Sequence, residues 1–177
     1  MSPKRTMKIQ LLDKAKKKKI ISEIEEIGIK KIPEMLVRTG KERIRAFSGH
    51  LTKEEVMKIW RTLPIEGIGL YVAKEIVSKK TGKREVRLSV DSLHLWEKQI
   101  TNNIIILTKE QEELWFLGKN IELTQSQKQK YPFEKCFVVV KSHDDKDFIG
   151  TGKTGDKIEI LYNYLPKERR RKTQLIK

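Results

Sequence analysis

Apolar residues recur at helical spacing through the opening stretch of the chain. Ile9, Leu12, Ala15, Ile20, Ile24 and Ile27 fall three to five positions apart, and Gly28 supplies a stop, which predicts a helix within residues 8–32. Ile32-Pro33-Glu34 reads as a connection, because a proline discourages helix at the residue before it, with a short helix from Pro33 to Val37 as the local option. The period then changes. Arg43, Ile44, Arg45, Ala46 and Phe47 alternate cation and apolar residue, as in a half-buried strand. Thr52 with Glu55 three positions on forms a capping box, and the helix it opens aligns Val56, Ile59, Trp60 and Leu63 before Pro64. A strand within Gly67 to Val77, the Lys80-Thr81-Gly82-Lys83 turn and a partner strand from Glu85 to Val90 follow. Asp91 or Ser92 suits the cap of a short helix carrying Leu93, Leu95 and Trp96. Residues 40–98 therefore read β-α-β-β-α, a small layered unit.

The third section opens with a β pattern at Ile104 to Leu107. Thr108 caps a short helix over Glu110 to Leu117, and Gly118 suits its C-terminal stop. Ile121 to Leu123 precedes a polar loop, Thr124 to Lys130, and Phe137 to Lys141 is a strong central strand. Ser142 to Asp147 is a turn between strands. In the last thirty residues, Phe148 and Ile149 run into a turn containing Gly150, Gly152 and Gly155, whose glycines are expected to supply positive φ. Ile158, Ile160, Tyr162 and Tyr164 then repeat at spacing two, and Pro166 ends the strand. Several short strands with turns between them and one helix near the start suggest a small mixed barrel.

Charge changes this picture from a fold to a binding protein. The net charge is +15, and it is concentrated at the ends. Residues 1–20 hold eight Lys/Arg against Asp13, and residues 167–177 hold six against Glu168. Cationic blocks of this kind repel themselves, stay extended and bind polyanions. Lys16, Lys17, Lys18 and Lys19 in the first block and Lys167, Arg169, Arg170, Arg171 and Lys172 in the second are candidate phosphate contacts. Arg43 and Arg45 share a strand face and join them as candidates. For Tyr162 and Tyr164, core packing and stacking on bases both suit the spacing.

Other chemistry finds little support. Gly152-Lys153-Thr154 invites a phosphate-loop reading, but that motif needs glycine where the chain has Asp147. A barrel turn, with Lys153 reaching a phosphate, is the better account. Asp144, Asp145 and Asp147 have neither the glycine nor the glutamate of a calcium loop. His50 and His94 have no nearby partner for acid–base work, and one cysteine, Cys136, with three histidines offers no zinc spacing. No apolar run approaches the ~20 residues of a membrane helix, and no apolar segment follows the N-terminal lysines as a secretory signal would require. The expectation is a cytoplasmic protein without cofactor or metal.

Four stretches together resemble a PUA-type RNA-binding domain: Glu113 to Leu123 (ELWFLGKNIEL), Phe137 to Lys141 (FVVVK), Phe148 to Lys153 (FIGTGK) and Asn163 to Arg170 (NYLPKERR). The run is most similar to the PUA-like part that accompanies archaeal RNA cytosine-5 methyltransferases of the Sun family, and 40–98 resembles the small module that precedes it. The catalytic part is missing from the match, since those enzymes carry a Rossmann-like domain with two cysteines, and this chain has one cysteine and no glycine-rich fingerprint between strand and helix. The resemblance implies an RNA grip without the catalyst. It implies that Gly118, Lys119, Asn120, Lys153, Lys167, Arg169 and Arg170 line the RNA groove.

The expected architecture is α+β: a basic helical N-terminal arm (1–37), a small α/β module (38–100), a PUA-like mixed β-barrel (101–166) and a basic C-terminal tail (167–177). The expected function is non-catalytic binding of structured RNA, ribosomal RNA first and tRNA second, on the ribosome or a pre-ribosomal particle. Two rivals are the RNA-guiding partner of an RNA methyltransferase and a basic DNA-binding protein.

Overall fold

The computed structural model describes residues 8–172, apart from 64, 78–81, 83, 133 and 134. The chain is α+β and divides into two compact units, Met1–Glu25 with Ile29–Ser92, and Glu26–Gly28 with Leu93–Lys177. No helix among the described residues is long and apolar enough to cross a membrane.

The first unit is a five-stranded antiparallel meander, in which spatial order follows sequence order. Its strands are β1 (Ile9–Leu11), β2 (Met35–Thr39), β3 (Arg43–Phe47), β4 (Leu70–Val77) and β5 (Arg84–Leu88). Helix α1 (Lys14–Ile24) joins β1 to β2, and α2 (Lys53–Thr62) joins β3 to β4. The expected long N-terminal helix is thus a strand followed by a helix. Asp13 separates them by accepting a hydrogen bond from the Lys16 backbone N–H, which caps α1. Nor do the described residues of 1–37 form a separate arm: Ile9 to Leu11 pair with Val37 to Thr39, and Ile20 and Ile24 are buried. Pro33 to Val37 is not helical either. Leu36, Val37 and Thr39 are buried in β2, where β-branched residues fit a strand covered on both faces. The capping box of α2 forms as the sequence predicts, with Thr52 and Glu55 bonding reciprocally, and Val56 and Trp60 turn inward. The Lys80 to Lys83 turn, apart from Gly82, lies outside the described residues.

The second unit begins within α3 (Val90–Leu95) and contains β6 (Ile104–Ile106), α4 (Lys109–Phe116), β7 (Ile121–Glu122), α5 (Gln125–Lys130), β8 (Phe137–Lys141), β9 (Phe148–Thr154) and β10 (Ile160–Asn163). Its sheet runs β6-β8-β9-β10-β7, with β6 parallel to β8 and every other pair antiparallel, and one of the chain's two sheets curls into a half-barrel. The expected polar loop after Leu123 is helix α5. Thr124 and Gln127 form a capping box there, a signal easily lost in a run of glutamines.

The expected glycine turn is also replaced. Residues 148–154 form one continuous strand, and neither Gly150 nor Gly152 has positive φ. Glycine is needed here because Trp115 of α4 packs directly on the strand. A Cβ on Gly150 would stand 2.9 Å from the Trp115 ring, and one on Gly152 only 2.6 Å from the Tyr162 carbonyl oxygen. Trp115 is fully buried and donates its indole N–H to the Ile149 carbonyl at 3.3 Å. Replacing it with Ala would cost about 3–5 kcal/mol. The actual turn lies after Thr154. In β10 the inward residue is Leu161, so Ile160 and Tyr162 point outward, opposite to an alternation that would bury them.

Candidate nucleic-acid interface

Helix α4 places the first group of predicted residues. It starts at the Thr108–Gln111 capping box and ends in a double-bonded glycine cap. Gly118, with φ of 77°, donates its N–H to the Trp115 carbonyl, while Lys119 donates to that of Leu114. The chain turns sharply, and Lys119 and Asn120 emerge exposed before β7 begins.

Asn163, which opens the NYLPKERR stretch but was not among the predicted groove residues, fastens this turn to the end of β10. Its side-chain amide donates to the carbonyls of Trp115 at 2.8 Å and Lys119 at 3.0 Å, and its Oδ1 accepts from the Leu165 N–H at 2.7 Å. Asn120 answers with its own side chain, accepting from the Asn163 backbone N–H at 3.1 Å. The place of Asn163 at the head of NYLPKERR, between two tyrosines at a strand end, was the signal in the sequence.

The basic segment after Pro166 then comes to the same turn. Lys167–Arg169 form one turn of 3₁₀ helix, after which Arg170 lays its side chain over Gly118. A Cβ at Gly118 would meet the Arg170 Cδ at 2.5 Å. The Arg170 Nε donates to the Leu165 carbonyl at 3.0 Å. Arg171 donates its backbone N–H to the Phe116 carbonyl at 2.8 Å and holds its guanidinium 4.6 Å from the Phe116 ring centre. The part of the expected free tail that is described is therefore anchored as far as Arg171. Arg170 serves packing, whereas Lys119, Lys167, Arg169, Arg171 and Lys172 are exposed around the turn. Residues 173–177 lie outside the described part.

Lys153 stands elsewhere, on the outer face of the sheet. Strand register aligns it with Phe137 of β8 and Tyr162 of β10, and directly opposed residues share a face. Tyr162 is 44% exposed, and the half-buried Tyr164 ring lies 6.3 Å from that of Phe137. This face offers one cation among aromatic rings, a surface on which bases stack. Gly152-Lys153-Thr154 is strand throughout, so it has no phosphate-loop geometry.

The candidates in the first unit divide. Lys16, Lys17, Lys18 and Lys19 belong to α1, with Lys18 and Lys19 exposed. Lys17 is drawn inward, its ammonium donating to the Glu34 carbonyl at 2.8 Å, and burial lowers its pKa from the ordinary lysine value. Arg43 is exposed. Arg45 lies on the same, less buried face as alternation implies, half-buried, and donates to the Gly69 carbonyl at 2.9 Å, tying β3 to the approach to β4.

Acidic chemistry stays local. His143 bonds Glu112 through both its backbone N–H and its ring. Burial opposes ionisation of Glu112, but these His143 contacts outweigh it and hold the carboxyl below its usual range. Asp144, bonded by Ser142 and Lys146, is lowered to about 2. No group of His, Cys, Asp and Glu among the described residues could hold a metal ion. Compared with known proteins, the chain matches no family model and no curated sequence. The PUA-type resemblance rests on its motifs alone.

Proposed function

We propose that this is a non-catalytic RNA-binding protein that grips structured RNA, ribosomal RNA before tRNA, as a ribosome-associated or assembly protein. The observation that carries this reading is the convergence at one turn of Lys119 and the basic segment that runs from Lys167 to Arg171, far apart in sequence. Its cations are presented by a capped helix end and an anchored segment, so less conformational entropy is lost on binding than with free tails. Phosphates would lie along this edge, and the Phe137–Lys153–Tyr162 face would receive unstacked bases. Within this reading the sheet of the second unit is the PUA-like element of the chain, without a catalytic domain.

Fluorescence anisotropy with a folded ribosomal RNA fragment, a tRNA and duplex DNA of matched length tests the proposal. RNA should bind more tightly than the DNA at equal salt. Replacing Lys167, Arg169 and Lys172 with Ala should reduce the slope of log affinity against log salt by roughly 2–3. Arg170 is left intact because it packs on Gly118. Preference for the DNA, or an unchanged slope in the triple variant, would refute the assignment.

A further inference from the structure

A second cationic feature lies wholly within the first unit, and the RNA interface does not use it. Between α1 and the sheet is a cleft of about 350 Å³, at the small end of the ~300–1,000 Å³ range of small-molecule sites. Ile20 and Val86 form its apolar wall, and both are otherwise buried core residues.

The charge of this cleft is unbalanced. Glu75 of β4 lies between two arginines, Arg38 of β2 and Arg84 of β5, bonding the first closely and the second at 3.0 Å. The Glu75 and Arg38 side chains are only 11% and 18% exposed. One carboxylate therefore serves two guanidiniums, Arg38 shielded from water and Arg84 61% exposed at the rim, which leaves the group with an excess positive charge. The Arg38 Nη1 is further used by Gln10, at 3.2 Å, while its Nε is buried without a hydrogen-bond partner among the described residues.

Across the cleft, α1 contributes Lys16 and Lys19 at helical spacing of three. Lys16 is paired with Asp13 at 3.3 Å, but the exposed Lys19 ammonium has no ion pair among the described residues. The Ser22 hydroxyl and the Glu23 carboxylate complete the polar side. A wall of aliphatic carbon, a net cationic rim and a few acceptors suit a ligand that joins a flat ring to a phosphate.

We propose that this cleft binds a nucleoside monophosphate group, with its base against Ile20 and Val86 and its phosphate between Lys19 and Arg84. The group is supplied either as a free nucleotide or as the phosphorylated end of an RNA. This site is independent of the RNA-binding edge in the second unit.

Titration of the full chain with AMP, GMP, CMP and UMP, followed by calorimetry and by amide NMR shifts, tests it. Adenosine and inorganic phosphate serve as half-ligand controls. At least one nucleotide should saturate, bind more tightly than either control and shift the amides of α1 and β5. Lys19→Ala and Arg84→Gln should each weaken it about tenfold or more. Both side chains are largely exposed, so neither change removes core packing. The Lys167/Arg169/Lys172 triple variant should retain the nucleotide affinity even if RNA binding is lost. A matched pair of RNAs with 5′-phosphate and 5′-hydroxyl ends separates the two sources. A phosphate preference abolished by Lys19→Ala assigns the RNA end, and nucleotide binding without such a preference assigns the free nucleotide. Failure of every nucleotide to saturate, or undiminished binding by both cleft variants, would overturn the proposal.

Discussion

Gln111 of α4 and Gln127 of α5 support the second unit in a way that can be measured cleanly. Both are buried, at 7% exposure, and their amides bond reciprocally at 2.9 and 2.8 Å. Each also donates to a strand-side carbonyl, Gln111 to Glu122 and Gln127 to Ile106, both within 2.9 Å. Each oxygen accepts the backbone N–H of its own cap residue, Thr108 or Thr124, at 3.0 Å. Replacing Gln127 with Leu deletes five bonds, a longer one from the Thr124 hydroxyl at 3.3 Å included, and leaves the amide of Gln111 buried with part of its capacity unfilled. At a net 0.5–1.5 kcal/mol per bond, with a desolvation penalty for the stranded partner, the cost is about 3–4 kcal/mol. Gln111→Leu should cost a similar amount. In the double variant the two leucines meet each other and no stranded amide remains, so its cost should fall short of the sum by about 2 kcal/mol. Urea unfolding followed by tryptophan fluorescence measures all three, since Trp115 sits on α4. Additivity within about 0.5 kcal/mol would show that the two amides are not a coupled pair.

The remaining predictions concern the proposed RNA-binding edge and its support. Asn163→Ala removes three side-chain bonds around the Lys119 turn and should cost about 2 kcal/mol. It should also weaken RNA binding, and full RNA affinity alongside the stability loss would mean the turn is not on the RNA. Gly152→Ala places a methyl group 2.6 Å from a backbone oxygen and should destabilise by about 1–3 kcal/mol, read as a lower urea midpoint. A wild-type midpoint would contradict the close packing of β9 on β10. Glu112 has a depressed folded-state pKa, so its contribution is present above the unfolded carboxyl value of about 4.3 and is lost as pH falls through the lower folded value. Stability of the wild type should therefore decline more steeply than that of Glu112→Gln below about pH 4; parallel acid limbs would remove Glu112 from the account.

Much of the local structure was written in short-range signals. The limits of β3 and β8 follow from alternation and from an uninterrupted β-branched run, and the caps at Thr52 and Thr108 bind as their spacing requires. Errors arose where one local rule hid another. The glutamines of α5 resembled a loop because their helix signal is a capping box rather than an apolar stripe. The N-terminal isoleucines suited one long helix, yet β1 had a pairing partner in β2 that no local pattern reveals. The glycines of β9 looked like turn residues because sequence cannot distinguish a glycine kept for positive φ from one kept for close approach.

For the candidate site, residue type and position were legible but their employment was not. The sequence alone determined that this is a charge-rich α+β chain with cations gathered near both ends, because charge and periodicity are properties of the chain itself. Which cations remain available was decided by tertiary contacts. Lys17 is committed to the Glu34 carbonyl, Arg45 to Gly69 and Arg170 to Leu165, while Lys119 and Lys167 stay exposed. The same contacts brought Gly118 against Arg170 and placed Asn163 between two carbonyls of the helix end. Such partnerships depend on strand order and register over more than forty residues, and no local pattern encodes a distance of that kind.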